Sequence, residues 1–132
     1  MFSPGPAGAP RRVAYISDES GRNEVYVQSY PSGANRIIVS SGGGASPHWS
    51  PDGKELFYVS EAALMAVPIR PDGSAGVPHK LFDQSNLLLA DPPFRTFDVS
   101  PDGKRFLTIR RDPGSVPNQL NVILNWSGEI AP

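Results

Sequence analysis

The words Ser-Pro-Asp-Gly occur twice in this chain, each time between two apolar runs rich in β-branched and aromatic residues. One copy is Ser50-Pro51-Asp52-Gly53, between Trp49 and Glu55-Leu56-Phe57-Tyr58-Val59-Ser60. The other is Ser100-Pro101-Asp102-Gly103, between Val99 and Arg105-Phe106-Leu107-Thr108-Ile109. Each element suits a hairpin. Proline presets φ at the first corner, aspartate accepts N–H groups just ahead of it, and glycine takes a positive φ without a Cβ clash. An eroded copy, Phe2-Ser3-Pro4-Gly5, leads into Val13-Ala14-Tyr15-Ile16-Ser17. From Ser3 to Ser50 to Ser100 the motif recurs after 47 and then 50 residues. A chain built this way is expected to repeat one short sheet.

The connections support short strands throughout. Fifteen prolines and thirteen glycines are spread between the apolar runs, a distribution that suits turns and strands rather than helices or a disordered linker. Strands are expected over residues 12–17, 23–30 and 35–39. A crossing follows at Gly42-Gly43-Gly44, then strands over 46–50, 55–60, 64–70 and 79–83. The last set is 94–100, 105–110 and 119–126. Loops of a few residues make consecutive strands antiparallel neighbours. Runs such as Leu56 to Val59 and Val122 to Leu124 are apolar on both faces, as in a sheet packed between two others.

Repeats of forty to fifty residues with about four strands each are the signature of β-propeller blades. The expected fold is therefore all-β, a partial β-propeller of about three blades, each an antiparallel four-stranded meander. Residues 1–10 would be disordered or an eroded inner strand of the first blade, and 11–41 the rest of it. Residues 45–85 form the second blade, and 93–127 a third that lacks its outer strand. Three blades do not close a ring. The chain is thus expected to be the C-terminal piece of a longer protein, or to pair with a second copy of itself.

The pattern Trp-Ser-Pro-Asp-Gly-Lys-x-hydrophobic-Phe/Tyr resembles the WD40-like (PD40) repeat of TolB-like propellers. Phe2-Ser3-Pro4, the run from Ser17 to Val27 and Val122-Ile123-Leu124-Asn125-Trp126 resemble the last blades of propellers fused to bacterial receptor-type serine/threonine kinases. That resemblance implies a protein- or peptide-binding or sensing module, extracytoplasmic if the parent is such a kinase. The alternative is an accessory propeller that filters substrate for an enzyme such as a prolyl-oligopeptidase-like peptidase. A truncated, non-functional reading frame is a third reading, prompted by the eroded first motif.

Candidate chemistry is thin. A net charge of −1 without runs of one sign argues against nucleic acid and against a polybasic membrane contact. No stretch is long enough for an apolar membrane helix, and the Pro/Gly-rich start has no signal-peptide core. The chain has no cysteine, and its two histidines, His48 and His79, form no metal-binding motif. Serine-hydrolase and kinase motifs are absent. No catalytic residue, cofactor or metal is expected. Gly42 to Gly44 lacks the lysine and following helix of a phosphate loop. Asp18, Glu19, Asn23 and Glu24 match no calcium loop and read as solvated turn residues. Asp52, Gly53, Asp102 and Gly103 read as turn formers, with equivalent positions in separate repeats lying far apart unless they line a central channel. Trp49, Trp126, Phe57, Tyr58, Phe97 and Phe106 read as packing aromatics. Ligand contact is expected instead from loop residues Asp18, Glu19, Arg22, Arg110 and Arg111.

Overall fold

A computed structural model describes residues 1–6, 8, 11–61, 63–83 and 97–109. The chain is all-β, with no helix among the described residues. Three antiparallel sheets follow one another along the chain. The first contains β1 (Arg11–Ser17), β2 (Glu24–Tyr30) and β3 (Ile37–Ile38) in that order. The second is the four-stranded meander β4 (Ala45–Trp49), β5 (Glu55–Ser60), β6 (Ala63–Pro68) and β7 (His79–Asp83). The third pairs β8 (Phe97–Val99) with β9 (Phe106–Thr108). The expected strand over residues 119–126 lies outside the described residues.

Local chemistry sets the strand limits. β3 does not reach back to residue 35, where the strand was expected to begin, because Asn35 sits at φ +54, in the left-handed region. Ser46, at φ +51, marks the register shift between Ala45 and His48 in the β4–β5 pair, as a bulge residue does. At the other extreme, β1 and β2 pair without interruption from Arg11 opposite Tyr30 to Ser17 opposite Glu24.

The serine and aspartate of each turn share one hydrogen-bond pattern. Ser50 Oγ accepts from Glu55 N at 2.9 Å and donates to Asp52 Oδ1 at 2.7 Å, while Lys54 N donates to the same carboxylate at 3.1 Å. Gly53, at φ +70, closes the turn by donating to Ser50 O at 2.9 Å. Ser100, Asp102 and Gly103 repeat each of these contacts. The serine hydroxyl first, and the backbone N–H second, hold both carboxyls below the ordinary aspartate range. Arg70-Pro71-Asp72-Gly73 makes a related turn between β6 and β7, with Asp72 accepting from Ser74 N at 2.9 Å.

The eroded first copy keeps the pairing and loses only the tight turn. Ser3 N donates to Arg12 O at 2.8 Å, Arg12 N donates back to Ser3 Oγ at 3.0 Å, and Phe2 bridges Val13. Met1 to Ser3 thus line β1 on the side away from β2.

Strand alternation builds two cores, one on each face of the second sheet. Leu56 and Tyr58 of β5 join Ala14, Val25 and Val27 of the first sheet, together with Trp49 and Val67. Phe57 and Val59, the intervening residues, join Leu64, Ala66 and Phe97 on the opposite side. Phe57 meets Phe106 edge to face, with ring centroids 5.0 Å apart. Side chains of this size contribute about 1.5–3 kcal/mol each on burial. The double-sided apolar run in β5 therefore holds three sheets face to face.

The turns of adjacent sheets touch through non-equivalent positions, proline against glycine. A Cβ on Gly53 would stand 3.2 Å from Pro4 Cγ, and one on Gly103 3.5 Å from Pro51 Cδ. The proline of each turn packs on the glycine of the next, because face-to-face sheets bring their like ends together.

Candidate functional site

The β1–β2 loop lies at the opposite end of its strands from these turns. Asp18 O accepts from Gly21 N at 2.8 Å, with Gly21 at φ +94. The loop then presents Glu19, Ser20 and Arg22 toward the outer strand β3. Glu19 pairs with Arg36 Nη1 at 2.9 Å, and the Arg36 guanidinium lies 5.5 Å from the centre of the Tyr26 ring. Tyr26 stacks on Tyr15 at 5.7 Å, and the Tyr15 hydroxyl lies 3.2 Å from Gln28 Oε1. These contacts fix a cationic group over an aromatic floor.

Two shallow clefts flank the exposed Ile38 of β3. One, of ≈ 430 Å³, is lined by Glu19, Ser20, Tyr26, Arg36, Ile37 and Ile38. The other, of ≈ 440 Å³, is lined by Ser20, Gly21, Arg22, Glu24, Ile38, Ser40 and Ser41. Ile38 is 51% exposed. An exposed isoleucine on a two-residue edge strand, between a guanidinium and a polar cleft, is the feature of this rim best suited to contact another chain.

Glu24 departs most from its expected role. It is 4% exposed, not a solvated turn residue. Oε1 accepts from Arg22 Nε at 2.8 Å and from Gly43 N at 3.0 Å, while Oε2 accepts from the Ser40 hydroxyl. Ser40 Oγ also accepts from Val25 N at 2.8 Å. Burial raises the Glu24 pKa, but the hydrogen bonds from Ser40, Arg22 and Gly43, with the charge of Arg22, outweigh it and hold the carboxyl below its ordinary value. The same negative charge adds to burial in raising the Tyr58 pKa. The glycine-rich crossing does cradle an anion, and that anion is the chain's own carboxylate.

Gly44 makes the cradle close. A Cβ there would stand 2.7 Å from Ser40 Cβ and 2.9 Å from Val25 Cγ2. Gly44→Ala is expected to destabilise the fold by about 1–3 kcal/mol through overpacking, with the loss read from the urea midpoint. An unchanged midpoint would show that Ser40 can move without releasing Glu24.

Of the residues expected to contact ligand, Asp18, Glu19 and Arg22 share this loop, and Arg110 and Arg111 lie outside the described residues. Tyr26, Arg36, Ile38 and Ser40 were not singled out by the sequence reading, and Gly43 entered it only within the glycine-rich crossing. Elsewhere, His48 Nε2 lies 3.1 Å from Asp98 Oδ1 and His48 Nδ1 2.9 Å from Trp49 O, tying the second sheet to the third. Among the described residues no group of three or more His, Asp or Glu side chains is placed to hold a metal ion, and no helix is long and apolar enough to cross a membrane. No family model, curated protein or solved structure matches the chain.

Proposed function

We propose that this chain is a non-catalytic protein- or peptide-binding module, built as part of a PD40/TolB-like β-propeller. The recurring Ser-Pro-Asp turn, the four-stranded meander and the face-to-face sheets support the architecture. The exposed Ile38 between two clefts carries the binding reading. An extended peptide would add to the β3 edge, place an apolar side chain beside Ile38, and set acidic groups toward Arg36 and Arg22. Both guanidiniums are already oriented by carboxylates, so little side-chain freedom is lost on binding.

A phage-displayed library of linear peptides, panned against the whole chain, tests this. Enriched peptides are expected to bind the Ile38→Asp variant at least about tenfold more weakly, the scale of one lost apolar contact together with new charge. Equal binding to wild type and variant would remove this rim as the site.

A further inference from the structure

The two sheets at the ends of the stack each leave one face without a neighbouring sheet among the described residues, and those faces are unlike each other. The serine contacts set the correspondence between strands. Arg12, Glu55 and Arg105 each donate their N–H to the preceding motif serine, Ser3, Ser50 and Ser100. Val13, Leu56 and Phe106 are therefore equivalent, as are Ala14, Phe57 and Leu107. In both internal junctions the second group faces forward along the chain and the first faces back. Ala14 shares a core with Leu56, and Phe57 meets Phe106.

By that parity Leu107 and Ile109 face forward from the third sheet, where they are 75% and 56% exposed. Val13 and Tyr15 face back from the first sheet, alongside Phe2 and Tyr30, which are 47% and 51% exposed. The forward face of one end and the backward face of the other are thus the two halves of the junction that the chain already builds twice. A polar contact follows the same order. The Arg12 guanidinium donates to Pro71 O, in the β6–β7 turn of the next sheet. Arg105, at the Arg12 position and exposed, would offer the same cation to the β2–β3 turn of whatever follows.

We infer that two copies of this chain close on each other, with Leu107 and Ile109 of one packing on Val13 and Tyr15 of the other, and the reverse contact closing the ring. Each contact is head to tail, and the ring ends after two copies because, on the propeller reading, the three sheets of one copy span half of a six-bladed turn. It buries exposed apolar surface of the kind soluble monomers rarely leave open. The inference rests on the propeller reading but not on the peptide rim. Val13 and Tyr15 lie on β1; Tyr26, which stacks on Tyr15, and Ile38, opposite Tyr26, share that face farther out, so the contact centres on β1 and reaches the clefts only at its outer margin.

The chain has no cysteine, so paired thiols report the contact directly. Light scattering is expected to give twice the chain mass, and oxidised V13C/L107C to run as a covalent dimer on a non-reducing gel. V77C/L107C, with one thiol on the 83% exposed Val77, is expected not to do so. Leu107→Asp, with its circular dichroism retained, is expected to raise the dimer dissociation constant by about 100-fold or more. A monodisperse monomer, an open-ended series of oligomers, or a dimer cross-linked equally by both thiol pairs would each overturn the inference. Loss of peptide binding in Ile38→Asp with the V13C/L107C cross-link intact separates the two proposals.

Discussion

Trp49→Ala is expected to remove about 3–5 kcal/mol of stability, the range for truncating a large buried aromatic. For a domain whose whole stability lies in the range of about 5–15 kcal/mol, that is about a fifth or more of what holds it folded. Trp49 is 2% exposed at the end of β4 and packs in the core shared by the first and second sheets. Its indole N–H donates to Met1 O at 3.1 Å, which also fixes the segment lining β1. Truncation opens a cavity between two sheets and removes that hydrogen bond at once, leaving Ala14 N as a donor to the carbonyl. Trp49→Phe separates the effects. Phenylalanine keeps most of the apolar volume and loses the N–H, so about 1–2 kcal/mol is expected. Phe82→Ala, at a 37% exposed site on β7, serves as the mild control. Urea unfolding followed by circular dichroism checks all three. A loss under about 1 kcal/mol for Trp49→Ala would mean that the first two sheets do not share a core.

Much of the architecture was legible because turn chemistry is local. The contacts of Ser50, Asp52 and Gly53 depend on residues within five positions of one another, so the motif alone specifies them. Strand order followed from the short loops, and the double-sided packing of β5 from four consecutive apolar residues. The first hairpin was harder to read. The substitution of Gly5-Pro6 for Asp-Gly removes the turn signal, but Ser3 still reaches Arg12 because its hydroxyl needs only the strand, not the turn. The contact between neighbouring turns, Pro51 on Gly103, is set by how sheets stack, and no local pattern encodes it.

The rim was legible only in part. Asp18, Glu19 and Arg22 stand out as a polar loop, and charged loops are where contacts are sought. Ile38 and Arg36 do not stand out, because an isoleucine beside another in a strand reads as core. Strand alternation turns Ile38 outward: Ile37, opposite Val27, packs on the core shared with the second sheet, so Ile38, opposite Tyr26, takes the other face. Glu24 was misread for a related reason. One residue beyond a turn, a glutamate is usually solvated. Its burial depends on Ser40 and Gly43, sixteen and nineteen residues away, and on the crossing that folds them back over β2. The three glycines read as a crossing between units, which says nothing of what the crossing packs on. Gly44 is also required for space, so that the crossing can sit against Val25.

Glu24 gives the fold a pH dependence that a single substitution can isolate. Glu24→Ala leaves Gly43 N–H and the Ser40 hydroxyl without their buried acceptor, and should cost about 2–4 kcal/mol. Glu24→Gln keeps an acceptor for one of them and loses the charge that Arg22 faces, for about 1–2 kcal/mol at neutral pH. The carboxyl is held below the ordinary value of 4.5 in the folded chain. Its contribution is therefore complete above that value and is lost as pH falls through it toward the folded-state pKa, since the unfolded chain takes up the proton first. Urea midpoints measured from pH 7 down to about pH 3 should converge for wild type and Glu24→Gln, with wild type falling more steeply. Asp52, Asp72 and Asp102 are depressed in the same direction, but all three are exposed and remain in both proteins, so they cancel in the comparison. Parallel curves at every pH would mean that Glu24 is not held as an anion. Because Glu24 also lines the cleft beside Ile38, its protonation frees Arg22 at the rim. Peptides selected at neutral pH for contact with that guanidinium should then change affinity over the same pH window in which the fold softens.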